Sequence, residues 1–160
     1  MLRKNNLILI FTLLFIFATL VFAYFIQYVL SYKPCKLCLY ERIPYIISII
    51  IILKILLFKS FNKIALLTLT VVFLSSSALA FYHLGIEQGF FTESFVCEST
   101  IISEPLSKEQ LLEQLKKKNI SCKDVDFRIF GLSLAAINFI FSLILSFVFS
   151  IFFVNYKKNQ

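Results

Sequence analysis

Apolar residues in this chain gather in long uninterrupted runs, not at the 3.6-residue or two-residue spacing of a half-buried helix or strand. A hydrocarbon core about 30 Å thick needs about 20 such residues per helical crossing. Four runs come near that length: 7–30, 43–58, 64–82 and 129–154. Each is predicted to be a helix, because lipid offers no partner for a free backbone group. The first follows Arg3 and Lys4, as a signal peptide would. It outruns the roughly 7 to 15 apolar residues of a signal h-region and is expected to stay attached. The run 43–58 is short, about 24 Å at 1.5 Å per residue, and extending it back to Leu39 gains about 6 Å. The second span is therefore placed at 39–58.

The expected fold is all-α: a single membrane domain over residues 1–160, built as a four-helix transmembrane bundle with outer loops at 31–38 and 83–126. Within the longer loop, SKEQLLEQLKKK pairs Ser107 with Gln110 in a capping-box pattern and lines up Leu111, Leu112 and Leu115. A short amphipathic surface helix is expected there.

Composition narrows the class. With 59% hydrophobic residues and a mean hydropathy of +0.87 over 160 residues, too little polar surface remains for a water-soluble domain. The net charge of +7 is a topology signal. Arg3, Lys4, Lys54, Lys59, Lys63, Lys157 and Lys158 all fall on the side that holds both termini, with no acid among them. That asymmetry marks the cytoplasmic side. The opposite side carries the other nine basic residues and all nine acids, so nucleic-acid binding is a poor reading of the basicity.

All four cysteines fall in the two outer loops, Cys35 and Cys38 in the first, Cys97 and Cys122 in the second. Disulfides persist outside the cytosol, so the segregation points to redox or structural pairing. Four cysteines allow three connectivities, and sequence alone does not choose. Internal pairing of each loop, Cys35 with Cys38 and Cys97 with Cys122, is expected at rest. A CxxC bridge closes a very small ring that chain entropy stabilises little, which suits it to cycling. Lys33 and Lys36 flank Cys35, and Arg42 follows Cys38 by four, on the same face if the helix has begun. Positive charge and a helix N-terminus favour the reactive thiolate. A structural role for one or both pairs is the competing reading. Zinc held by four cysteines is weakened by the oxidising compartment and by the spacing of the second pair.

The segment PCKLCLYER, Pro34 to Arg42, strongly resembles the signature of the bacterial disulfide bond formation protein B family (DsbB), quinone-dependent oxidases of the inner membrane. YHLGIEQGFF ahead of Cys97 and FGLSLAAINF entering the last helix match as well, so the resemblance covers most of the chain. It implies catalysis by Cys35, Cys38, Cys97 and Cys122. A periplasmic thioredoxin-fold dithiol oxidase would attack Cys97 and displace Cys122, which is reoxidised through Cys35. Cys38 then delivers the electrons to ubiquinone or menaquinone, with Arg42 near the quinone. Such a partner is itself a strong oxidant, near −120 mV, and needs a stronger acceptor. A quinone role for His83, the one histidine, is weighed against that of a hydrogen-bonded interface residue. Two departures stand out: the chain has no Trp, and Gln88 sits where an aromatic residue is expected.

Three other readings compete. A vitamin K epoxide reductase-type enzyme shares the chemistry but carries its CxxC late in the bundle. A structural four-span protein with disulfide-stapled loops needs no basic residues around a CxxC. A metal transporter needs polar groups within its spans, and Thr68, Thr70, Ser75 to Ser77 and Asn138 are few. Such Ser and Thr more often bond neighbouring helices.

Overall fold

The structure is a computed structural model that describes residues 2–58, 63–92, 122–123, 128–129 and 131–158. Five helices make up most of it: α1 (Leu2–Tyr28), α2 (Lys36–Tyr40), α3 (Arg42–Phe58), α4 (Lys63–Glu87) and α5 (Leu134–Lys158). Three of them hold segments long and apolar enough to cross a membrane: Asn6–Tyr28, Lys63–Glu87 and Leu134–Tyr156. α3 has 17 residues and is the shortest of the four long helices. Phe11, Ile64 and Phe147 turn outward at 71, 78 and 68% exposure. Large apolar side chains bared on the outside of helices suit a hydrocarbon surround and would be unfavourable in water.

Among the described residues α4 and α5 pack along most of their length, while α3 lies between α1 and α4. Small side chains let α4 and α5 approach closely. Ser76, Ala80, Ala135 and Ser142 are all buried. The Ser76 and Ser142 hydroxyls lie 3.1 Å apart, and Ser146 donates to the Thr70 carbonyl at 3.4 Å. Thr68, Thr70 and Ser75 bond carbonyls of their own helix. Of the hydroxyls expected to bond neighbouring helices, Ser76 does so, whereas Thr68, Thr70 and Ser75 turn back onto α4 itself. Deeper in the bundle Phe73 stacks on Phe149 at 5.5 Å with rings 11° from parallel. Lipid tails are as apolar as Phe, so this core acts through close packing more than through escape from water.

Helix ends depart from the predicted spans, each for a local reason. α4 runs past Tyr82 to Glu87, and its end is a Schellman closure. Gly89 takes φ +78°, the Phe90 amide donates to the Gly85 carbonyl at 2.8 Å, and the Gly89 amide donates to Ile86 at 3.1 Å. Phe91 folds back over the helix so closely that a Cβ at Gly85 would stand 2.1 Å from its ring. His83 thus belongs to the helix and not to the outer loop. α5 starts at Leu134 instead of 129 because a two-residue antiparallel pair, β1 (Arg128–Ile129) with β2 (Leu132–Ser133), turns through Gly131 at φ +83°. Ser133 then caps the helix, its hydroxyl accepting from the Ala136 amide at 3.2 Å. The second helix does extend back to the CxxC, but it breaks at Glu41, which ends α2. The expected surface helix at 107–118 lies outside the described residues.

Candidate active site at the cysteine pair

Cys35 is the N-cap of α2: its sulfur accepts from the Cys38 amide at 3.2 Å. The CxxC spacing therefore places both sulfurs on one side of the first turn, 2.6 Å apart. Both are free thiols, so the bridge expected at rest is open here. The two differ in chemistry. The hydrogen bond from Cys38, aided by His83, holds the Cys35 thiol below the usual range against the effect of burial. Cys38, as the donor in that pair and itself buried, is pushed well above it. Of the two, Cys35 is the sulfur that gives up its proton more readily, and Cys38 is the one that keeps it.

A buried polar cluster stands behind Cys35. His83 Nε2 lies 3.5 Å from the Cys35 sulfur, and Nδ1 lies 2.7 Å from Glu41 Oε1. The second oxygen of Glu41 accepts from Asn138 Nδ2 at 2.7 Å. The Tyr45 hydroxyl bonds the Asn138 carbonyl oxygen, and Ser142 also meets both groups. Glu87, one turn after His83, places Oε1 3.7 Å from Nε2, and its Oε2 is buried without a hydrogen-bond partner. α2, α3, α4 and α5 all contribute, so the cluster exists only in the assembled bundle.

Cys122 comes from the second loop and is buried. It is disulfide-bonded, whereas Cys35 and Cys38 are free. Its sulfur, the Cys35 sulfur and a ring nitrogen of His83 all lie within 4.8 Å of one another. Two thiolates and an imidazole at such range could share a soft metal ion, but with Cys122 in a disulfide its sulfur is an electrophile, not a thiolate ligand. Cys97 lies outside the described residues.

The sulfurs face a cavity of about 440 Å³ between α1 and α5. Phe15, Phe22 and Phe141 give it apolar walls, while Gln27, Arg42 and Cys38 supply polar groups. The Arg42 guanidinium turns to α1: Nη1 donates to Gln27 Oε1 at 2.7 Å, and the group lies 4.8 Å over the Tyr24 ring.

A profile of the family described as "Disulfide bond formation protein DsbB" matches residues 5–152. The chain belongs to the DsbB family. An uncharacterized protein of Rickettsia prowazekii (strain Madrid E) is 32% identical over 140 residues, which cover 86% of this chain and 81% of that protein. DsbB membership makes the chain a membrane protein of disulfide bond formation and its cysteine chemistry that of a thiol oxidoreductase.

Of the predicted site residues, the structure brings Cys35, Cys38, His83 and Cys122 together and sets Arg42 on the rim of the same cavity. Sequence reasoning missed Glu41, Glu87 and Asn138. Glu87 was open to discovery: it follows His83 by four residues and so shares its helix face. Asn138 showed only as an isolated polar residue within an apolar run.

Proposed function

We propose that this DsbB-family protein reoxidises a periplasmic thioredoxin-fold dithiol oxidase and passes the electrons to a membrane quinone. The observation that carries the reading is the placement of the Cys122 sulfur within 4.8 Å of Cys35, with Cys38 2.6 Å beyond on the wall of an apolar cavity. Thiol–disulfide exchange needs a thiolate able to reach a disulfide sulfur. In the first step a partner thiolate attacks Cys97 and displaces the Cys122 thiolate. Cys122 then attacks Cys35 of the closed CxxC bridge and releases Cys38 toward the cavity. A quinone bound there would supply a two-electron, two-proton acceptor, which balances the two electrons and two protons lost by the partner's dithiol.

The cavity suits such a molecule. Aromatic and aliphatic walls accept a flat lipid-soluble ring, and Arg42 offers donors at its edge. Charge asymmetry supports cytoplasmic termini with the cysteines on the periplasmic side of the inner membrane. On this reading residues 39–58, the end of α2 followed by α3, make the fourth crossing, since α3 alone spans about 25 Å. Purified protein given a reduced dithiol partner and a quinone tests the proposal. Stoichiometric quinol formation that depends on Cys35 and Cys38 is expected, and no quinone reduction would reject it.

A further inference from the structure

The buried acid behind the cysteine pair has no part in the sulfur relay itself. Resting on that relay as the setting, we infer that Glu41 is a positioning residue: it holds the His83 imidazole through Nδ1, so that Nε2 faces Cys35 and exchanges a proton with that sulfur.

An ionised carboxylate only accepts, so with Glu41 in that form the 2.7 Å contact between its Oε1 and His83 Nδ1 calls for a proton on Nδ1. Nε2 then points at Cys35, 3.5 Å away, within reach for a large sulfur atom. The contact of Nε2 with Glu87 is longer, at 3.7 Å. Glu41 is in turn kept from rotating, because Asn138 Nδ2 donates to its other oxygen at 2.7 Å and Tyr45 anchors Asn138. Acid, imidazole and thiol thus form a line, the arrangement that activates a nucleophile elsewhere in protein chemistry.

Energetics favour a purpose for the charge. Glu41 and His83 are 7 and 2% exposed. Burying ionisable groups at such a depth is costly, and neutral residues would join the helices at lower cost. The proton transfer is balanced: the Cys35 S–H bond breaks, an N–H bond forms at Nε2, and no electrons move. When Cys35 and Cys38 close their disulfide again, the S–S bond forms as two electrons and two protons leave for the quinone that the proposed relay names as acceptor. Among the described residues the other titratable groups around this line are Glu87, Cys38, Arg42, Tyr45 and Cys122.

His83 is the only histidine in the chain, so its imidazole is directly visible in ¹⁵N-histidine-labelled protein. In the wild-type dithiol, Nδ1 is expected to carry a proton with the signal of a carboxylate-bonded imidazole; an unprotonated Nδ1 overturns the inference, whatever becomes of any variant. The second measurement is site-resolved alkylation of Cys35 against pH in a Cys97→Ser, Cys122→Ser background. Glu41→Gln should move its midpoint up by roughly 1 to 2 pH units, the scale on which a neighbouring charge acts. Glu41→Asp should fall between, and adding Glu41→Gln to His83→Gln should move it no further. An unmoved midpoint in Glu41→Gln, or fully additive shifts in the double variant, overturns the inference. Quinone reduction by the wild type is assayed separately. If it is absent while the midpoint shifts, the oxidase reading falls and the positioning role stands; if it is present without a shift, the reverse holds.

Discussion

Replacing Arg42 separates two jobs that its position combines. Its Nη1 donates to Gln27 at 2.7 Å and its guanidinium covers Tyr24 at 4.8 Å, so it brackets α3 to α1 at the cavity rim. Arg42→Met removes a charge-assisted hydrogen bond of roughly 1.5 to 3 kcal/mol and a cation–π contact of about 0.5 to 1 kcal/mol. Together these amount to roughly 2 to 4 kcal/mol of lost bracketing. Arg42→Lys keeps the charge but not the planar fork that can bond Gln27 and lie over the ring at once. If the same fork also bonds a quinone carbonyl, its loss raises the KM for quinone by about 10-fold to 150-fold, the equivalent of 1.5 to 3 kcal/mol. The assay is steady-state quinone reduction in lipid nanodiscs, with thermal unfolding of the same samples. Gln27→Ala provides the control for bracketing, because it lowers thermal stability and leaves the guanidinium in place. KM should rise in Arg42→Lys, rise further in Arg42→Met, and move least in Gln27→Ala. Equal KM in wild type and both Arg42 variants, with normal protein levels, refutes a guanidinium contact with quinone and leaves Arg42 as a bracket alone.

Four further outcomes are expected. Membrane-impermeant thiol reagents should label the outer-loop cysteines of reduced intact cells; labelling only after permeabilisation reverses the topology. Cys122→Ser should accumulate a mixed disulfide between Cys97 and the partner on non-reducing gels, and wild-type turnover in Cys97→Ala would assign that pair a structural role. Because the Cys35 pKa is lowered, its thiolate exists at every pH above that lowered value, so in the dithiol its alkylation should persist as pH falls below the usual thiol range. Cys38, shifted upward, should stay unreactive into alkaline solution, and matching mass-spectrometric profiles near the ordinary thiol value of about 8.5 would contradict this. Gly89→Ala, at φ +78°, should lower stability by about 1 to 2 kcal/mol in detergent unfolding, through left-handed strain alone.

How far the sequence could be read depended on the range of the interactions involved. Spans were legible because hydrocarbon imposes length and apolarity residue by residue, and 64–82 and 129–154 each fall within or overlap the long helices α4 and α5. Their ends were not, since they depend on local closures. Apolar content falls after Tyr82, yet nothing before Gly89 stops a helix, so α4 carries His83 and Glu87 onward. Phe130 and Gly131 lie inside the predicted run 129–154, yet a tight turn at Gly131 delays α5 to Leu134. The break at Glu41 has a local cause, since Pro44 lacks the N–H for a bond to the Tyr40 carbonyl and its ring crowds that oxygen; what no local pattern announces is that the Glu41 carboxylate meets His83 and Asn138, 42 and 97 residues away in sequence.

The site followed the same division. The cysteines and Arg42 could be picked out because their chemistry shows at short spacing, CxxC and then four residues on. Charge proximity along the chain was a poorer guide to which sulfur is activated. Arg42 is near Cys38 in sequence and turns instead to Gln27, whereas His83, 48 residues from Cys35, reaches its sulfur. Burial then turns that cross-bundle contact into chemistry. In a surface loop a nearby lysine would be screened by water, but His83 is 2% exposed and meets Cys35 where little solvent competes. The unequal thiols of the pair arise first from the hydrogen bond between them, and the packing of α4 against the CxxC turn adds the contribution of His83 to Cys35. A change that loosens that packing, even far from any cysteine, should raise the Cys35 thiol part of the way back toward the ordinary range and leave the Cys35–Cys38 contact as the remaining source of the difference.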